Sequence, residues 1–299
     1  MDLIGEIKKL KEKRDAVILA HNYQIPEVQD IADYVGDSLE LARLASSLKN
    51  KTIVFCGVRF MAETAKVLSP DKTVLLPEKD AGCPMADMIL PEQLENLRSQ
   101  YPGAQVVAYV NTSVEVKALS DICCTSSNAV KVVDSVSSDE IIFVPDRNLA
   151  TWVSLKSKKK IICHPGFCIV HENVKPSDVL KMKELYPESI ILAHPECSLE
   201  VLKLADSVQS TGGMIRYVSG SDKKEFIIVT EQGMNYRLSK LFPDRIFHSM
   251  TPEMICFNMK KTTVESVFFA LKENRYEIIL LKELIEKASI PLKRMLMLG

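Results

Sequence analysis

Apolar and polar positions fall in blocks along this chain, and the blocks recur three times in one order. An apolar run at 17–20 breaks into His21, Asn22 and Tyr23, and a helical stretch then reaches Asp33 and stops at Ser38. The phrase returns at 106–110, breaks at Asn111 and Thr112, and runs through Asp121 to Ser126. It returns again at 190–193, breaks at His194, Pro195 and Glu196, and runs through Asp206 to Ser210 and Thr211. Each phrase continues as helix, strand, helix, strand, with the apolar strands at 53–55 and 74–76, 141–144 and 161–163, and 226–229 and 246–248. Short β-branched strands alternating with helices of about ten residues indicate βαβ units and parallel sheets buried on both faces. The fold class expected is therefore α/β, with three pseudo-equivalent αβα lobes around a central cleft.

Punctuation residues refine the boundaries. Leu90-Pro91 and Lys175-Pro176 read as helix starts with proline in the first turn, and both helices end in Tyr-Pro, at Tyr101-Pro102 and Tyr186-Pro187. The lobes expected are 1–83, 84–168 and 169–256. Residues 257–299 hold a partial fourth unit: a helix near 264–271, a strand at 276–280 and a helix broken near Pro291. An incomplete unit cannot bury its own faces, so it is expected to complete the first lobe.

Every phrase finishes in a loop that carries a cysteine, at Cys83, Cys168 and Cys256, spaced by 85 and 88 residues. That period is too long for a solenoid repeat and suits compact lobes. An isolated cysteine is more often a small buried hydrophobe than a ligand, and Cys56, Cys123, Cys124 and Cys163 in or beside strands fit that description. Three thiolates from three lobes make either a zinc site with one open position or an iron–sulfur cluster with one iron lacking a protein ligand. A compact site from Cys163, His164, Cys168 and His171 is a weaker reading, because the other lobes do not reproduce it.

In parallel α/β sheets, ligands bind beyond the carboxyl ends of the strands. His21, Asn111, His194 and Glu196 follow the first strand of their lobes and should converge. Ser38, Ser126, Ser210 and Thr211 precede helices, where hydroxyls and backbone N–H groups can hold an anion. One such serine alone is an ordinary helix cap; recurrence in three lobes favours a site.

Charge and composition narrow the class. The 299 residues carry 38 basic and 39 acidic side chains, interspersed, with a net charge of −1, which leaves no electrostatic footprint for nucleic acid. Hydrophobic residues make up 46%, yet no apolar stretch approaches the roughly 18 to 20 residues that span a bilayer. The first 14 residues read as a charged amphipathic helix, without the apolar core of a signal peptide. A cytoplasmic protein with no membrane partner is expected, in which eight cysteines serve as thiols or metal ligands.

Several phrases together resemble the quinolinate synthase family: Ala20-His21-Asn22-Tyr23-Gln24, Gly36-Asp37-Ser38, 57–63 (GVRFMAE), Tyr109-Val110-Asn111, 125–129 (TSSNA), 145–149 (PDRNL), His194-Pro195-Glu196-Cys197 and Ser210-Thr211-Gly212. The resemblance covers essentially the whole chain. It implies three pseudo-equivalent lobes around one [4Fe-4S] cluster per chain, with Cys83, Cys168 and Cys256 as its ligands. It also implies the reaction: iminoaspartate, normally supplied by L-aspartate oxidase, condenses with dihydroxyacetone phosphate to quinolinate, with loss of phosphate and two waters. By the same resemblance His21, Tyr23, Tyr109 and Glu196 are the acid/base candidates, with Glu196 the iron-side carboxylate. Ser38, Asn111, Ser126, His171, His194, Ser210 and Thr211 are the candidates for binding carboxylates and phosphate. Tyr109 as strand packing and His171 as a solvated loop residue are the plain alternatives. Two departures stand out: the loop before Cys168, His164-Pro165-Gly166-Phe167, is shorter than in several relatives, and the C-terminal cysteine group of some members is absent. Competing functions are a zinc- or iron–sulfur-dependent hydro-lyase on another small carboxylate, and a non-catalytic iron–sulfur sensor.

Overall fold

Twelve short strands form three separate four-stranded sheets in a computed structural model that describes residues 2–298. The first sheet holds β1 (Ala16–His21), β2 (Tyr34–Gly36), β3 (Thr52–Cys56) and β4 (Thr73–Leu75) in the order β2-β1-β3-β4. The second repeats that order with β5 (Gln105–Tyr109), β6 (Ile122–Cys124), β7 (Glu140–Val144) and β8 (Lys160–Cys163). The third repeats it with β9 (Ile190–Ala193), β10 (Ser207–Val208), β11 (Glu225–Val229) and β12 (Ile246–Ser249). All pairings within the sheets are parallel. Helices cover both faces, so β1 and β3 are buried along their whole length. That is why they read as continuous apolar runs rather than alternating ones.

One polar device recurs in all three lobes. Asp33, Asp121 and Asp206 each accept the amide of the central strand residue fifteen positions back, Ile18, Val106 and Ile191, through Oδ2 at 2.7 to 2.8 Å. Each aspartate returns its own N–H to the carbonyl of that same residue at 2.9 to 3.0 Å. The reciprocal pair satisfies the open edge where the chain enters the short strand, and it locks one register in three places.

A second recurrence lies at helix ends. Ser69, Tyr101, Tyr186 and Phe242 close their helices with φ from −136° to −128° and ψ near 70°, and each precedes a proline. Proline disfavours α geometry in the residue before it, so the stop is written locally. The sequence reading found two of these four stops.

The C-terminal segment departs from expectation. No strand forms at 276–280: Glu277 makes one antiparallel bridge to Leu75, because Tyr276 sits at φ 56° and breaks the extended run. The last helix, Lys282–Met297, passes through Pro291 unbroken. Proline forfeits one helical hydrogen bond there, but Ala288, Pro291, Leu292 and Met295 are buried together, and their packing outweighs the loss. This helix lies against the helix Val114–Ala118, strand β6 and the helix Arg59–Leu68, and so bridges the first two sheets. The preceding helix, Val264–Glu273, packs on the N-terminal helix Leu3–Arg14. No helix among the described residues is long and apolar enough to cross a membrane.

Candidate active site

The carboxyl ends of all three sheets face one cavity of about 930 Å³, counting its open mouth. Counting along each chain segment from the amide held by its aspartate shows what each lobe contributes. Three residues on stand His21, Tyr109 and His194; five residues on stand Tyr23, Asn111 and Glu196; twenty on stand Ser38, Ser126 and Thr211. All nine line the cavity. The equivalent positions have diverged in chemistry while keeping their place.

These side chains are wired together across lobe boundaries. Tyr109 Oη donates to Glu196 Oε1 at 2.7 Å, and His171 Nδ1 lies 2.8 Å from Glu196 Oε2. His171 Nε2 meets Thr230 Oγ1 at 2.8 Å, and Thr230 Oγ1 meets Tyr23 Oη at 2.6 Å. The five groups form one chain, Tyr23–Thr230–His171–Glu196–Tyr109, buried throughout except at Tyr23, which is half-buried. His194 stacks on His171 with ring centres 4.8 Å apart. Its Nδ1 accepts the Glu196 N–H at 3.4 Å, which leaves Nε2 to donate to Ser126 Oγ at 3.2 Å. His21 is oriented the same way, with Nδ1 accepting the Tyr23 N–H at 3.2 Å.

The three cysteines share a local geometry. Each opens a single helical turn, with the N–H of Asp87, Glu172 and Lys260 bonded to the carbonyl of Cys83, Cys168 and Cys256 respectively. Backbone N–H groups two or three residues on, from Met85 and Ala86, His171, and Asn258 and Met259, approach the sulfurs and favour thiolate. Burial works against this and pushes all three thiols up, Cys83 to about 12. A metal ion displaces the proton that such a thiol otherwise keeps. All three cysteines line the cavity, and Cys168, His171 and Glu196 bring their ligand atoms within 4.8 Å of one another, a group able to hold a metal ion. The alternative zinc reading at Cys163 and His164 does not assemble: Cys163 is exposed, and His164 Nδ1 faces Pro145 O and Gly166 N.

The sequence profile of the quinolinate synthetase A protein family matches residues 5–297. Quinolinate synthase from Thermodesulfovibrio yellowstonii is 53% identical over 296 residues, which cover 99% of this chain and 98% of the relative. The chain belongs to the quinolinate synthase family. The Alkaliphilus metalliredigens enzyme of that name is 52% identical over 296 residues, with 99% and 98% covered. The Methanoregula boonei quinolinate synthase is 52% identical over 293 residues, with 98% and 97% covered.

Within this quinolinate synthase fold, electrostatics separate proton acceptors from donors. Burial alone would raise the Glu196 carboxyl, but the His194 and His171 rings and the hydrogen bonds from His171 and Tyr109 hold it below the ordinary glutamate range. Burial, reinforced by Glu196, pushes the Tyr23 and Tyr109 phenols well above theirs. Burial also lowers His21 to about 4 and His194 to about 3, so both imidazoles are neutral near pH 7. The cavity therefore pairs an ionised carboxylate with protonated phenols and neutral histidines.

Support for this quinolinate synthase site comes from residues the sequence reading passed over. Thr230 and Glu231 follow β11, the second central strand, and not the first strand, whose exit the repeat pattern singles out. Glu231 is fully buried; it accepts the Cys256 N–H at 3.1 Å and the Gly233 N–H at 2.8 Å. Lys260 donates to both Glu231 oxygens and to the Tyr23 carbonyl at 2.6 Å. Asn148 donates to the Glu196 carbonyl at 2.9 Å, from a helix capped by Asp146. Of the serines, Ser210 is the one that does not line the cavity: it caps the helix Thr211–Gly220 and bonds Ser127, which donates to Asp37.

Proposed function

We propose that the chain condenses iminoaspartate with dihydroxyacetone phosphate to quinolinate, releasing phosphate and two waters, at a [4Fe-4S] cluster held by Cys83, Cys168 and Cys256. The observation that carries this reading is the convergence of one thiol per lobe, each on an equivalent helical turn, beside the Glu196 hydrogen-bond chain. The donor set fits the group: three soft sulfurs with amides aimed at them supply three ligands and leave one iron open. When bound, the cluster supplies a Lewis-acidic iron that polarises substrate oxygens.

The protein groups divide the remaining work. Glu196, ionised, is the proton acceptor on the cluster side, and Tyr109 steadies its other oxygen. Tyr23, with its phenol protonated, delivers and retrieves protons at the condensing carbons, with His21 edge-on at a ring separation of 4.6 Å. Asn111 Oδ1 is buried with no protein partner and accepts a substrate N–H or O–H. Ser126 accepts from His194, which leaves its own hydrogen for a carboxylate or phosphate oxygen. Ser38 and Thr211 stand at the equivalent positions, and His171 orients the carboxylate. Ser210 spends its hydrogen on Ser127, because Ser127 has already given its own to Asp37; Ser210 therefore acts through the helix it caps.

The imine substrate is hydrolytically unstable, so an amino-acid oxidase such as L-aspartate oxidase is the expected supplier. Eight free cysteines suit the reducing cytoplasm. The test is anaerobic purification followed by metal analysis and turnover. A brown protein with about four irons and sulfides per chain that makes quinolinate from dihydroxyacetone phosphate and freshly generated iminoaspartate meets the expectation. A cluster-replete protein that makes none overturns the reading.

A further inference from the structure

We infer that the cluster-free protein holds a preformed site for one zinc-class divalent ion, built from Cys168 Sγ, His171 Nδ1 and Glu196 Oε2, and that this ion competes with cluster assembly. The competition rests on the cluster assignment above, because Cys168 serves both groups; the zinc site does not.

Three features carry it. The first is geometry. His171 Nδ1 lies 2.8 Å from Glu196 Oε2 and 3.2 Å from Cys168 Sγ. Tetrahedral zinc, with bonds of about 2.0 to 2.3 Å, sets neighbouring N, O and S ligands about 3.4 to 3.6 Å apart. The two contacts of His171 Nδ1 need to open by about half an ångström, and Cys168 Sγ and Glu196 Oε2, which lie within 4.8 Å of each other, need to settle at that same spacing. Cys168 and His171 stand one helical turn apart on the same short segment, so two of the three ligands are placed by local structure alone.

The second is charge. One thiolate, one carboxylate and a neutral imidazole cancel a dication, whereas three thiolates around a single zinc leave a net negative charge in a buried site. Binding displaces the Cys168 thiol proton and moves the His171 ring hydrogen from Nδ1 to Nε2. The third is the surrounding support. Ligating histidines donate their other ring N–H to a nearby acceptor, and Thr230 Oγ1 is already 2.8 Å from His171 Nε2. Tyr109 holds the Glu196 oxygen that the ion leaves unused. Cys83 and Cys256 take no part in the group.

The last point supplies the test. The full-length chain is stripped of iron anaerobically and titrated with zinc against a chromophoric chelator, and with cobalt(II) to read thiolate ligation by absorption. One zinc per chain is expected, together with a thiolate-to-cobalt band. Cys168→Ala, His171→Ala and the near-isosteric Glu196→Gln should each weaken zinc by at least ~100-fold, and Thr230→Val by about 10- to 100-fold. Cys83→Ala and Cys256→Ala should bind zinc like the wild type while losing iron on reconstitution. Zinc-loaded wild type should take up iron only after a chelator is added. Thermal melting of each variant establishes that it is folded. Loss of zinc in Cys83→Ala or Cys256→Ala to the extent seen in Cys168→Ala assigns the ion to the three thiols and overturns the inference, as does the absence of stoichiometric zinc in folded wild type. Wild type that binds zinc but never takes up iron sinks the cluster assignment instead and leaves the zinc site standing.

Discussion

Tyr109, the last residue of β5, and Glu196, just beyond β9, lie 87 residues apart and share a hydrogen bond of 2.7 Å. The bond is one of the interactions that hold the Glu196 carboxyl low. Tyr109→Phe removes it and leaves a buried carboxylate oxygen short of a donor, at a cost of about 1–3 kcal/mol in stability. The Glu196 carboxyl then titrates higher, so the acid limb of the pH–rate profile moves toward neutrality. Turnover should fall by roughly 10² to 10⁴-fold if the phenol takes part in proton movement. An unchanged acid limb in Tyr109→Phe would detach Tyr109 from the carboxylate's chemistry.

Ligation is tested by substitution. Cys83→Ala, Cys168→Ala and Cys256→Ala should each lose most bound iron, because each removes the thiolate proposed as the cluster ligand of its lobe. Cys124→Ala and Cys197→Ser should keep it, since both thiols are buried in packed segments. Iron and sulfide analysis reads the outcome, and retention of iron by Cys168→Ala would contradict the assignment.

The serines separate binding from capping. Ser210→Ala loses a helix cap and should cost about 1 kcal/mol with no ligand present. Ser126→Ala caps nothing, because the next helix begins after Asn128. It should leave the unliganded melting temperature near wild type while reducing the shift produced by quinolinate or a dicarboxylate analogue. Equal ligand-induced shifts in Ser126→Ala and wild type would remove that hydroxyl from the anion site.

Buried Glu231 and half-buried Lys260 form an ion pair with a positioning role. Glu231→Gln leaves the half-buried Lys260 ammonium without its counter-charge, which costs on the order of 1–3 kcal/mol. Combining it with Lys260→Met should recover part of that loss. In both variants the Cys256 loop loses a fixed point, so iron should leave faster on exposure to a chelator than in wild type. Identical iron-release rates would confine the pair to stability.

The cluster-free protein should lose stability on the acid side of neutrality. His21 is lowered to about 4 by burial, so between that value and the unfolded pKa of about 6.5 the unfolded chain binds a proton that the native state refuses. Stability is therefore complete above about pH 6.5 and falls as pH drops toward 4, by up to about 1.4 kcal/mol per unit for this one histidine. His21→Gln should make the melting-temperature curve shallower over that window. A curve of unchanged slope would mean that His21 is protonated in the fold.

Much of this architecture was legible because the same local instructions recur. The aspartates at 33, 121 and 206 and the helix stops before proline act over a few residues, and so does the apolar length of each central strand. What was missed depends on tertiary context. Thr230 is an unremarked threonine after a strand until His171 and Tyr23 arrive from other segments. Glu231 and Lys260 resemble surface charges in sequence, and only burial makes them a pair. Pro291 reads as a helix breaker because propensity is local, while the packing that overrides it comes from the first two lobes. Tyr276 carries no mark in its side chain of the left-handed backbone that ends the expected strand.

The hydroxyl of Thr230 owns a single hydrogen, and it stands between Tyr23 and His171. When His171 Nε2 is bare, Thr230 gives that hydrogen to the imidazole and Tyr23 points its own at Thr230. When Nε2 carries hydrogen, Thr230 accepts it, and its own hydrogen is then free to turn to the tyrosine oxygen and release the phenolic one. The two ends of the chain are thus coupled through one hydroxyl. A change at the carboxylate side that places hydrogen on Nε2, whether a proton or a metal ion, allows the row to reverse and frees the Tyr23 hydrogen for a substrate. The lobe interface thereby ties the hydrogen that Tyr23 presents to the one that His171 carries.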